Sequence, residues 1–148
     1  MVRVREAEFI DLATLVRFNA EMAMETEALE LEELRLVPGV QAVLSDTGKG
    51  QYYVAENEEI PVGQTLVTLE WSDWRNGYWW WLQSVYVLPD WRRKGVLRML
   101  YNYIEEQARA AGAVGLRLYV DKENETARKA YTLLGMEASR YSLYENAF

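Results

Sequence analysis

Between Gln51 and Leu88 the chain carries three runs of strand-forming residues: QYYVAE from Gln51, VGQTLVTLEW from Val62 and YWWWLQSVYVL from Tyr78. The connections between them are too short for anything but hairpins. Asn57-Glu58-Glu59 ahead of Pro61 and Asn76-Gly77 ahead of the tryptophans supply the turn chemistry. An antiparallel meander is therefore the expected centre of the fold. The period then changes. Val96, Leu100, Ile104, Ala108 and Ala111 recur at helical spacing, predicting a helix from about Gly95 to Ala111 that stops at Gly112. A strand, VGLRLYV, starts at Val114. A strand, a helix and a strand in that order, from Gln83 to Val120, predict a parallel pair joined by a right-handed crossover.

The flanks complete the pattern. Val2 and Val4 read as a short first strand, and Phe9, Leu12, Val16, Ala20 and Ala23 as one face of a helix. A second helix falls within Leu31 to Leu44, where Pro38-Gly39 should break or bend it. Asn124 reads as the N-cap of a last helix with Ala127, Ala130, Tyr131 and Leu134 on one side and Gly135 at its end. The tail EASRYSLYENAF is expected to add a final strand. With no repeat, linker or low-complexity tract, residues 1–148 read as one α/β domain around a mixed sheet, long enough to bury roughly 70% of its unfolded surface.

Composition narrows the chemistry. The chain has no cysteine and no histidine, which removes thiolate metal sites, cysteine nucleophiles, the usual serine triads and the commonest general base. No apolar run approaches the ~20 residues of a membrane span, and the charged opening MVRVREAEF lacks a signal-type core, so a cytoplasmic setting without a membrane partner is expected. A net charge of -7 argues against a nucleic-acid partner. Positive charge is instead focused: Arg92, Arg93, Lys94 and Arg98 are four of the sixteen basic residues. Such a focus suits a small polyanion.

The segment VYVLPDWRRKGVLRML places that focus where a strand ends and a helix opens. The first helical N–H groups have no partner there, and the helix dipole adds to the flanking cations. From spacing alone the segment is either a pyrophosphate cradle or a solvated basic helix start. It is not a Walker loop, because Gly-Lys-Ser/Thr is missing.

These residues resemble the GNAT superfamily of acyl-CoA-dependent N-acetyltransferases. The family's strand ending is met by Val85-Tyr86-Val87-Leu88-Pro89, and its pyrophosphate motif, Gln/Arg-x-x-Gly-x-Gly/Ala, by Arg92-Arg93-Lys94-Gly95-Val96-Leu97. A second block, N-x-x-A-x-x-x-Y-x-x-x-G-F, is met by Asn124, Ala127, Tyr131 and Gly135, with Met136 in place of the aromatic residue. The opening VRVREAEFIDLATL is similar to the family's first strand and helix. The chain departs at Leu97, where a small residue is usual, and its length leaves the family's last strand missing. The exposed sheet edge that results is either short or covered by a partner in a homodimer.

The resemblance implies a mainly antiparallel mixed sheet with a splayed parallel pair, flanked by helices. It also implies transfer of an acetyl group from acetyl-CoA, without a metal, to a primary amine of a small-molecule or amino-acid-like acceptor by direct attack. Val85 and Val87 would offer main-chain hydrogen bonds to the donor. Arg92, Arg93, Lys94, Gly95, Val96, Leu97 and Arg98 would hold its pyrophosphate, with Asn124 and Tyr131 also on the cofactor side. Tyr131 would protonate the departing thiolate. Two alternatives remain open: a module that binds or senses acyl-CoA without turnover, and acetylation of a protein N-terminus or lysine.

The acceptor side is less defined. Glu70, Asp73 or a carboxylate between Glu21 and Glu33 could serve as base, or water alone could suffice. The carboxylates of that stretch, Glu25 among them, would attract a cationic amine. Strand parity puts Trp79, Trp81, Gln83, Val85 and Val87 on one face, and Tyr78, Trp80, Leu82, Ser84 and Tyr86 on the other. The resemblance gives the acceptor side to Trp79, Trp81 and Gln83, where an aromatic wall could bind an aromatic group or a cation.

Overall fold

The computed structural model describes residues 1–148, which form two compact units, Met1–Leu118 and Tyr119–Phe148. In the first unit, strand β1 (Val2–Glu6) leads through a 3-10 turn at Phe9–Asp11 into helix α1 (Leu12–Glu27) and then α2 (Glu33–Ser45). The meander follows as β2 (Gln51–Asn57), β3 (Ile60–Ser72) and β4 (Gly77–Val87). Helix α3 (Val96–Ala110) and strand β5 (Gly115–Arg117) close the unit, and α4 (Glu125–Leu133) is the regular element of the second.

The sheet runs in chain order, β1-β2-β3-β4-β5, antiparallel except for the parallel pairing of β4 with β5. This is the predicted mixed sheet. One layer of helix covers each face. On the first, Leu15, Val40, Tyr52, Val54 and Leu66 bury a core from α1, α2, β2 and β3. On the second, α3 buries Val96, Leu100, Tyr101, Ile104 and Ala108, while its Tyr103 meets Tyr53 of β2 edge-on. Leu15, Phe18, Leu100 and Ile104 are at most 1% exposed, and each such side chain contributes about 2 kcal/mol relative to exposure.

Four expectations are corrected. Helix α1 buries Ala23 as expected and packs Leu12 and Val16 against the core, but its other buried side chains are Leu15, Phe18 and Asn19, and Phe9 is half exposed in the preceding turn. The helix has two apolar flanks, so periodicity alone selects neither. Pro38 lies inside α2, so of the expected break or bend it is the break that does not occur. The ring removes the hydrogen bond to the carbonyl of Leu34, a residue 91% exposed, so water can serve that carbonyl instead. Strand β5 is three residues long instead of the seven of VGLRLYV. The tail is the fourth: residues 137–148 are exposed and form no strand. Alternating apolar residues make a strand only when a ladder partner satisfies their backbone groups.

Candidate functional site

Because β5 is short, its ladder engages only Trp79, Trp80 and Trp81 of β4. The rest of β4, up to Val87, stays paired to β3 on one side and has no strand on the other. Leu88 donates its N–H to the Val62 carbonyl at 2.9 Å, toward β3. Ladder alternation therefore turns the N–H and carbonyl of Val87 to the open side. Arg92 Nε reaches that carbonyl at 2.9 Å.

A bulge interrupts β4 within this open segment. Leu66 pairs with Gln83 but Gln64 pairs with Tyr86, so Ser84 and Val85 together oppose Thr65. Ser84 has φ of 50°, the one left-handed residue within a strand of this sheet apart from the turns, a conformation costing on the order of 1–3 kcal/mol. Two side chains from β3 hold the bulge. Gln64 Nε2 donates to the Ser84 carbonyl at 3.0 Å, and the Thr65 hydroxyl donates to the Gln83 carbonyl at 3.1 Å. Gln64 and Thr65 are 0% and 2% exposed, and the remaining amide oxygen of Gln64 has no partner.

The extra residue corrects the expected strand parity. Up to Gln83 the reading holds: Trp81 and Gln83 reach Glu70 and Thr68 of β3 on the α1 face. Beyond the bulge the faces exchange, because one inserted residue shifts a period-2 pattern by half its repeat. Tyr86 therefore joins Trp79, Trp81 and Gln83 on the α1 face, where its ring meets Phe18 at 5.5 Å. Val87 moves to the α3 face beside Val96.

Tyr86 is the centre of an acidic group. Its hydroxyl lies 2.9 Å from Glu25 Oε1 and 3.2 Å from Glu21 Oε2. Burial and the two carboxylates push its ionisation far above the usual phenol range, so it stays protonated. One proton serves two oxygen contacts. Glu25 is also gripped by Arg92 Nη2 at 2.7 Å; although burial pushes its carboxyl up, Arg92 and Tyr86 hold it below the usual range. Glu21 has only Arg17, at 3.8 Å, as a cationic neighbour.

The basic turn lies at the end of β4. A 3-10 turn at Pro89–Trp91 leads to Arg93 and Gly95, both left-handed with φ of 61° and 83°. Nothing approaches within 4 Å of a Cβ placed on Gly95, so the backbone angle, rather than crowding, calls for glycine. Gly95 caps α3 without a side-chain hydrogen bond, and its carbonyl accepts from Met99. The N–H groups of Val96 and Leu97 thus have no partner within the first turn of the helix. Leu97 is half buried, and its main-chain donor does not depend on its side chain. Arg93, Lys94 and Arg98 are exposed around this turn. Arg92 instead anchors the turn to α1, and Lys94 lies over the Trp91 ring at 5.3 Å.

Trp79 and Trp81 sit at the other end of β4. Gly115 makes room for the Trp79 ring, which would lie 2.5 Å from a Cβ at that position. Arg117 stacks on that ring at 3.8 Å and Arg75 at 5.1 Å, so arginines already cover the aromatic surface expected to meet a cation. Glu70 accepts from Trp81 Nε1 at 2.8 Å and Arg117 Nη1 at 3.0 Å, which hold its carboxyl below the usual range. That is the wrong direction for a general base. Asp73 accepts from the Trp74 N–H in the hairpin turn.

In the second unit, Asn124 caps α4 by accepting from the Ala127 N–H at 3.1 Å. Tyr131 lies on α4, and burial pushes its hydroxyl above the usual phenol range. Sequence spacing reveals neither the tie between Tyr86 and α1 nor the stacking of Arg117. The available signal for Gln64 and Thr65 is their polarity inside an otherwise apolar strand run.

Residues 17–136 match the model of a family described as acetyltransferase (GNAT) family. A possible acetyltransferase from Clostridium difficile 630 is 44% identical, with the match covering 100% of this chain and 98% of that one at a TM-score of 0.93. A ribosomal-protein-alanine N-acetyltransferase from Brucella melitensis biovar Abortus 2308 is 18% identical over 100% and 99% of the two chains, with a TM-score of 0.82. An aminoglycoside N-acetyltransferase in complex with CoA is 13% identical over 99% and 95%, with a TM-score of 0.80. A search of curated proteins found no match.

Proposed function

Because the chain belongs to the acetyltransferase (GNAT) family, we propose that it is an acetyl-CoA-dependent N-acetyltransferase whose acceptor is the primary amine of a small cationic molecule. The observation that carries the donor half is the open segment of β4, which runs directly into the basic turn that opens α3 at Gly95. The residues present suit acetyl-CoA: main-chain groups for the acyl arm, then N–H groups and cations for a pyrophosphate. The thioester supplies an activated acetyl group.

The chain's own residues divide the remaining work. The Val85 N–H takes up negative charge developing on the thioester oxygen. Val87 aligns the acyl arm along the open edge, while Val96, Leu97 and Arg98 N–H groups with Arg93 and Lys94 hold the phosphates. Tyr131 returns a proton to the departing sulfur; its raised ionisation keeps that proton available at neutral pH. Arg92 acts as a strut between β4 and α1.

The Tyr86 group supports a cationic acceptor. Two carboxylates share one phenolic proton, so an ammonium N–H would satisfy the contact that Tyr86 leaves unfilled. Glu21, the less neutralised of the pair, then takes the proton the amine must lose before it attacks.

Calorimetry with acetyl-CoA, followed by thiol release across diamines, amino acids and short peptides, tests this reading. Binding with release on diamines is expected. No binding refutes the donor half. Release confined to peptides refutes the acceptor assignment, and binding without release to any amine leaves a sensing module.

A further inference from the structure

Resting on the reading just given, we infer that Gln64 and Thr65 are positioning residues for the transfer step, acting through the two carbonyls of the β4 bulge. Neither side chain needs to touch donor or acceptor. Their targets are consecutive: Thr65 holds the Gln83 carbonyl and Gln64 the Ser84 carbonyl. They approach from opposite faces. Gln64 lies on the α1 face with its partner Tyr86, and Thr65 on the α3 face with its partner Tyr53, whose ring meets Tyr103 of α3.

A trans peptide fixes its N–H opposite its carbonyl. Holding the Ser84 carbonyl at Gln64 therefore aims the Val85 N–H away from that amide, and holding the Gln83 carbonyl sets the plane before it. With two successive peptide planes pinned, Ser84 is kept at φ of 50°. Ladder pairing cannot do this, because Thr65 alone faces both bulge residues. The assignment of the Gln64 amide is internally constrained: exchanging its nitrogen and oxygen would set two acceptors 3.0 Å apart. Near-complete burial removes water as a substitute donor.

Both side chains thus set the direction of the donor that receives charge from the thioester oxygen. The mechanism is geometric, so their removal should lower turnover and leave the phosphate grip of α3 intact.

The test compares Thr65→Val, Thr65→Ser and Gln64→Leu with the parent protein by three readouts. These are the infrared stretch of an isotope-labelled acetyl carbonyl in bound acetyl-CoA, kcat with the best amine, and acetyl-CoA affinity by calorimetry. The parent should lower the carbonyl stretch relative to free acetyl-CoA. Thr65→Val and Gln64→Leu should lose most of that shift and about 10- to 100-fold in kcat, with affinity nearly unchanged. Thr65→Ser keeps the hydroxyl and should restore both. If Gln64→Leu does not fold, the near-isosteric Val and the Ser variants at position 65 decide the matter. A shift retained in Thr65→Val overturns the positioning role while leaving the proposed function standing. A parent protein that binds acetyl-CoA without shifting the carbonyl overturns both.

Discussion

Replacing Arg5 with methionine should destabilise the first unit by about 3 kcal/mol at neutral pH. Arg5 makes a two-point contact with Asp11, Nη1 to Oδ2 at 2.8 Å and Nη2 to Oδ1 at 3.0 Å, and its Nε reaches Glu56 Oε2 at 2.8 Å. Asp11 is 4% exposed and Glu56 2%, so the substitution strands one buried carboxylate and leaves the other to Arg3 alone. Breaking a buried pair costs about 3–5 kcal/mol; a quarter of the Arg5 side chain is solvated, which favours the lower end. At about 2–4 °C per kcal/mol, the midpoint should fall by roughly 10 °C. Urea titration and thermal melting measure both quantities. The pH dependence is diagnostic. Although burial pushes both carboxyls up, Arg5 holds Asp11 low together with the Glu8 N–H, and holds Glu56 low together with Arg3. Their stabilisation is therefore present above the unfolded carboxyl values, near pH 4, and is lost as pH falls through the depressed folded values. Without Arg5, burial raises the stranded carboxyl, so the gap between the two proteins should be widest near pH 7 and narrow towards acid. A loss below about 1 kcal/mol, or a gap that widens in acid, would refute the reasoning.

Tyr131→Phe should lower kcat by about 100-fold or more with acetyl-CoA affinity nearly unchanged, measured by thiol release and calorimetry. In the parent, the raised Tyr131 ionisation predicts no loss of rate from this group until pH exceeds about 10. Gly95→Ala places a side chain at φ of 83°, costing about 1–2 kcal/mol in a melt and weakening acetyl-CoA binding several-fold if the turn relaxes away from that angle. Asn124→Ala removes the N-cap of α4 and should cost about 1 kcal/mol, with hydrogen exchange faster in the first turn of that helix.

Much of the architecture was legible because it rests on local signals. The meander follows from short turns, and the long crossover helix from the spacing of Val96, Leu100, Ile104 and Ala108, all buried as expected. The basic turn was legible too, since Gly95 and the helix start lie within one short segment. The failures share one cause: each depended on something outside the local window. The alternation in the tail gives no sign of whether a ladder partner exists, and Pro38 survives because of where Leu34 meets water.

The bulge is the most instructive case. A period-2 reading describes β4 correctly from Tyr78 to Gln83 and then inverts, because Ser84 occupies a left-handed angle that its own side chain does not demand. Serine is an ordinary strand residue, so nothing in SVYV announces the break. Gln64 and Thr65, about twenty residues earlier in the chain, hold the carbonyls whose pinning accompanies that angle. The inversion in turn carries Tyr86 to the α1 face, where it meets Glu21 and Glu25. A single inserted residue, stabilised from a neighbouring strand, thereby sets both the main-chain donor assigned to the acetyl group and the acidic group assigned to the amine. Donor and acceptor chemistry would fail together if the bulge were removed, for instance by deleting Ser84, while a substitution at Glu21 should touch the acceptor alone.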